Sequence, residues 1–222
     1  VFMSAPSKQV VAPLVADIRA RAARIGRDPR DILMFTLITV IPGETEAAAK
    51  AKLADYRSHI SHEGALALLS GWTGIDFSRY ALDEPLRYVK NDAMNSAIEA
   101  LTVADPGKVW TVREIAEHVG IGGRGPLLVG SPAEIADELE AWMESTDVDG
   151  FNLAYAVTPE SFEDAVDLLV PELQKRGVYK TDYAKGTLRE KLGGAGPRLV
   201  APHPGAAYRN LFGEPTRVAA SG

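Results

Sequence analysis

Cysteine is missing from all 222 residues. That excludes disulfides and thiolate metal sites, and it fits a cytosolic protein. No apolar run approaches the roughly 18 residues that a membrane-spanning helix needs, and no charged-then-apolar leader is visible at the start. Lysine and arginine form no block and the net charge is −6, which argues against a nucleic-acid partner. Several catalytic signatures are absent as well. The sequence holds no GxGxxG after a strand, no P-loop, no GxSxG, and no carboxylate pair at a convincing spacing.

What is present suits a soluble globular chain with one sizeable core: 46% hydrophobic and 24% charged residues. The clearest local unit is LLVGSPAEIADELEAWMESTDVDGFNLAY, residues 127–155. Leu127, Leu128 and Val129 read as a short buried strand ended by Gly130. Ser131 reads as an N-cap, Pro132 suits the first helical position, and Glu134 completes a capping box. Ile135, Leu139, Trp142 and Met143 then form one apolar stripe. Phe151–Tyr155 reads as a second buried strand, so a parallel pairing of these two strands is expected.

Upstream, strands are expected at 1–4 and 32–41, with helices over 8–25 and 44–60. The run ILMFTLITVI is apolar without alternation, which marks a strand covered on both faces. From 61 to 124 the pattern turns loop-like, with aromatics and short helical pieces at 92–103 and 111–119, and it reads as an excursion between barrel-type units. A helix at about 161–176 follows, and residues 193–222 are a Gly/Pro-rich tail without periodicity. The order is α/β with parallel strands, yet an eight-unit barrel typically takes about 250 residues. The expected fold is the last portion of such a barrel, spanning 1–192.

The stretch 127–155, continued by VTPESFEDAVDLLVPELQKRGVYKTDY and GTLREKLG, resembles the C-terminal end of the bacterial luciferase-like flavin monooxygenases. VFMSAPS, VADIRARAARIGRDPRDILMFTLITVIPGETEAAAKAKL and LALLSGWTGIDFSRYALDEPL carry the resemblance upstream. Within that superfamily it is most similar to the group holding nitrilotriacetate monooxygenase component A and dibenzothiophene-sulfone monooxygenase. The resemblance implies a (β/α)8 TIM barrel of which this chain is the C-terminal portion, with the excursion between the last two strands. It implies reduced FMN supplied by a separate NAD(P)H:flavin reductase, O₂, and a small organic substrate. It also implies that the main FMN contacts lie upstream of residue 1, so no cofactor-binding residue is assigned here. A deazaflavin in place of FMN is a weaker variant of the same reading, and a non-catalytic half-barrel that pairs with another chain is the alternative. An open barrel flank also predicts self-association.

Functional residues of such barrels sit at the C-terminal ends of strands and in the loops that follow. That selects Phe2, Ser4, Thr39, Leu128, Val129, Phe151 and Asn152 as pocket candidates, against the plainer reading that the apolar ones are core. Trp72, with Phe77 and Tyr80, forms an aromatic cluster that either lids the pocket or pins the excursion. Ser4, Ser7 and Ser131 are better explained as helix caps than as phosphate ligands. His59 and His62 lack a third metal ligand, His118 is expected on the surface, and no metal site or catalytic residue is assigned.

Overall fold

A computed structural model of the chain describes residues 1–90, 92–193, 196–199, 201 and 203–208. Residues 1–181 form one compact unit and residues 182–222 a second.

The strongest apolar run becomes β2 (Phe35–Pro42), the centre of a parallel four-stranded sheet. It begins three residues later than expected because Pro29–Asp31 makes a helical turn capped by the Asp28 side chain. Met34 then donates its N–H to Asp149 Oδ2 at 2.8 Å, outside the strand ladder. Phe35 is paired with both Phe2 and Gly150, and Thr39 with both Leu127 and Ala154. Therefore β1 (Phe2–Met3) and β3 (Leu127–Gly130) share one edge of β2, and β4 (Gly150–Ala154) lies on the other. The expected pairing of β3 with β4 is replaced by an order in which β2 separates them. The connecting helix α6 (Pro132–Thr146) crosses over β2, so the strands stay parallel without touching.

Register divides the sheet into two unlike faces. Ile38 and Val40 pack against Ile135, Ala136 and Leu139 of α6 and against Ala165 and Leu169. Those last two belong to a π turn (Ala165–Leu169) joining α7 (Glu160–Asp164) to α8 (Val170–Lys175), one continuous helical segment at the expected place. Met3, Leu128, Phe151 and Leu153 share this helix-covered face, being paired with or alternating into the same row. Phe2, Phe35, Leu37, Asn152 and Ala154 occupy the opposite face. The expectation that 151–155 is a buried run fails: Asn152, Leu153 and Tyr155 are exposed, because β4 has no strand on its outer side among the described residues.

Helix α1 (Lys8–Arg24) closes the lower end of the sheet. Val10, Val11 and Val15 pack with Met34, Trp142 and Val148. Its Arg19 reaches Asp147 at 2.5 Å and Asp149 at 3.2 Å, tying α1 to the segment entering β4.

Helix α2 (Glu46–Ser58) begins behind Thr45, whose side chain accepts from the Ala48 N–H. The stretch 61–124 is more ordered than a loop-like reading suggests. Ser61 caps a full helix, α3 (His62–Thr73), which ends at left-handed Gly74. The run LALLSGWT is short and interrupted by Gly71, which hid a helix whose apolar side faces its own small core. Helices α4 (Asn95–Leu101) and α5 (Val112–Gly120) complete it, with Leu69, Phe77, Leu86, Ile98, Leu101 and Ile115 buried together.

In the second unit, α9 (Leu188–Gly193) is preceded by Thr187, which exchanges capping hydrogen bonds with Glu190. Of the expected tail, residues 209–222 lie outside the described residues.

Candidate functional site

The loop between α5 and β3 reads GIGGRGP, too short of apolar residues for any periodic signal. Its glycines let the backbone lie flat against the helix-free face of the sheet. Gly122 and Gly123 both hold φ near +128°, a conformation L side chains rarely adopt. A Cβ on Gly122 would stand 2.6 Å from the Tyr155 carbonyl oxygen, and one on Gly125 would stand 2.3 Å from the Leu37 carbonyl oxygen. Thr39 Oγ1 donates to the Gly122 carbonyl at 3.3 Å and helps pin the loop. Arg124 is thereby carried onto the open face.

A cavity of about 500 Å³ sits there, bounded by the open face, the β1–α1 turn, α4 and Arg124. Phe2, Ser4, Leu37, Asn152 and Arg124 all line it. Phe2 stacks on Phe35 with ring centroids 5.7 Å apart and is still 75% exposed, an unusual state for a phenylalanine. Ser4 Oγ is shielded from solvent and has no hydrogen-bond partner. A buried hydroxyl without a partner is uncommon.

The sequence-derived candidates therefore part company. Phe2, Ser4 and Asn152 come together at the cavity. Leu128 and Phe151 turn to the helix-covered face and pack into the core beside α6. Val129 is paired with Ile41, and Thr39 serves the loop contact just described. Trp72 packs against the small core of 61–124 and also lies under Arg124, whose guanidinium carbon is 5.4 Å from the ring centroid. Arg124 itself escaped sequence reasoning. Only its place in a four-residue run containing three glycines hinted that the backbone needed a close approach there.

Other candidates take structural duties. Ser7 precedes α1 without a side-chain cap and instead donates to Asp105 at 2.7 Å. Ser131 makes the full capping box with Glu134. His59 faces Asp55 and His62 faces Glu117, each at about 3.5 Å, so the two turn to different partners.

His118 is not the surface residue expected. It packs on Trp110 with ring centroids 5.1 Å apart, and its Nε2 is buried without a partner. Burial pushes its pKa down to about 4, helped by the Lys108 charge and opposed by a backbone contact with Gly125. The folded protein therefore keeps this imidazole neutral while the unfolded chain takes up a proton near the ordinary value of 6.5. Its stabilising share is complete above about pH 6.5 and lost as the pH falls toward 4. Urea unfolding at pH 7.5 and 4.5 should show His118→Gln losing less stability than the parent over that interval, by on the order of 2 kcal/mol. Equal losses would place the histidine in solvent.

Known proteins place the chain in a family. The family described as luciferase-like monooxygenase matches residues 1–150. A dimethyl-sulfide monooxygenase of Hyphomicrobium sulfonivorans is 46% identical over 95% of this chain and 44% of its own length. The chain belongs to the luciferase-like monooxygenases. A dibenzothiophene-sulfone monooxygenase of Rhodococcus erythropolis, from the group expected, is 33% identical over 90% of this chain and 45% of the relative. Among solved structures, a riboflavin lyase holding modified FMN and riboflavin superposes with a TM-score of 0.79 at 29% identity, covering 94% of this chain and 46% of that one. This member of the luciferase-like family thus has the α/β fold of its relatives and spans a little under half their length. No helix among the described residues is long and apolar enough to cross a membrane.

Proposed function

We propose that the chain is the C-terminal portion of a (β/α)8 barrel in an FMN-dependent two-component monooxygenase, with 61–124 inserted between the last two barrel strands. The observation that carries the reading is the open sheet face: an exposed, stacked Phe2 beside an orphaned hydroxyl on Ser4 and an exposed amide on Asn152. In a barrel this face points inward, and functional residues sit where its strands end and the following loops begin, as Ser4 does after β1.

The residues present fit one wall of a flavin site. Phe2, stacked on Phe35, offers an apolar ring face to a planar ligand, and the Asn152 amide stands beside it as a hydrogen-bonding group. Reduced FMN, delivered by a separate NAD(P)H-dependent reductase, supplies the electrons that activate O₂ toward an organic substrate. Residues 61–124 supply Met94, Ala97 and Arg124 to the cavity rim, and in the whole barrel this insertion would limit the access of water.

The main FMN contacts lie on strands outside this chain in this reading. Anaerobic fluorescence titration of the 222-residue chain with FMN and reduced FMN should accordingly show weak or absent binding. Co-expression with a segment matching the first half of a relative should restore tight binding. Micromolar affinity of the chain alone would mean that the cofactor contacts are misplaced. A stable complex that binds no flavin would favour the second reading, a non-catalytic half-barrel, which the unpaired β4 edge supports.

A further inference from the structure

Among the described residues Arg124 has no counter-charge. The one hydrogen bond it makes runs from Nη1 to Met94 Sδ at 3.0 Å, and a thioether is a weak acceptor. No carboxylate pairs with it among the described residues. Glu99, the acidic residue lining the same cavity, accepts instead from the Tyr88 hydroxyl at 3.1 Å. In a protein with net charge −6, an arginine held beside a cavity and left unpaired is poised for an incoming anion.

Its setting also fixes its geometry. The guanidinium carbon lies 5.4 Å from the Trp72 ring centroid, and apart from Nη1, which donates to Met94 Sδ, its N–H groups make no hydrogen bond among the described residues. The glycine loop 122–125 is pressed on the sheet so closely that the arginine's backbone has little freedom to withdraw. A backbone held in place in this way lowers the cost of binding. Arg124 lines a space that the Asn152 amide also lines, with Ser4 Oγ shielded behind its wall.

We propose that Arg124, stacked on Trp72, is the oxyanion-binding residue of this cavity, taking a carboxylate, sulfonate or phosphate group of the small molecule bound there. This rests on the reading of the open face as a ligand wall but names no cofactor. A phosphate would belong to the flavin, and a carboxylate or sulfonate to the substrate.

The test is an NMR titration of the 222-residue chain, following the Arg124 Nε–H and Trp72 Nε1–H signals. The probes are methanesulfonate, acetate and inorganic phosphate, then riboflavin against FMN. At least one oxyanion should shift both signals saturably, and Arg124→Met should weaken that anion about tenfold or more. Arg124→Lys should recover part of the loss, since it returns the charge without the flat fork. A shift with FMN and none with riboflavin assigns the site to the cofactor phosphate. A shift with methanesulfonate or acetate and equal flavin responses assigns it to the substrate. The proposal is overturned if no oxyanion moves either signal in the parent, or if Arg124→Met binds the same anion as well as the parent does. Circular dichroism of each variant separates lost binding from lost folding. No response to riboflavin or FMN, with an oxyanion response intact, leaves the Arg124 assignment standing and is what the flavin reading expects of this chain alone; that reading falls only if the complex with the upstream segment binds no flavin.

Discussion

The 222-residue chain on its own is expected to associate, giving a light-scattering mass well above 23.8 kDa on size-exclusion chromatography. Two features drive this. The outer edge of β4 is unpaired among the described residues, and an unpaired edge templates pairing with another strand. Beside it lie apolar side chains in water, Tyr155 at 54% and Leu153 at 39% exposure, and Phe2 of β1 is 75% exposed on the other side of β2. Met143 and Val178 line an adjoining apolar cavity of about 630 Å³, beside the same edge. Burial is worth about 25 cal/mol per Å², so covering a few hundred Å² of that surface contributes several kcal/mol, comparable with a whole domain's typical stability. Leu153→Lys, which places a charge beside the free edge, should shift the population toward monomer. A compact monomer of 23.8 kDa that melts cooperatively would show instead that the chain satisfies its own sheet.

A second large effect is expected from a single methyl group. Gly125→Ala puts a Cβ 2.3 Å from the Leu37 carbonyl oxygen and 2.8 Å from its carbon. Both are backbone atoms of the central strand, so neither can step aside as a side chain would. The loop must lift, which costs about 3 kcal/mol and lowers the melting temperature by roughly 10 °C for a chain of this size. Arg124 moves with it, so any anion response of the cavity should fall as well. Gly71→Ala is the control. It lies inside α3 with nothing within 4 Å of the new methyl, and it should stabilise by about 1 kcal/mol through helix propensity. Equal effects of the two substitutions would mean that the loop is not seated on the sheet.

The sequence by itself settled what depends on neighbours a few residues away. The capping box of Ser131 and Glu134, the stripe of α6 and the unbroken apolarity of β2 are local signals, and each element stands within a few residues of its expected place. The family was also legible, because ordered motifs survive without any knowledge of which faces meet. Tertiary structure decided the rest. That β3 and β4 flank β2 instead of each other is set by contacts across roughly a hundred residues, which no local pattern encodes. The helix α3 was hidden because its apolar side answers to α5 and not to the sheet. Phe2 and Asn152 line one cavity while Phe151, one residue away, enters the core, and only register separates them. Arg124 became visible last, because glycines carry no periodicity and their meaning lies in the backbone they allow to approach.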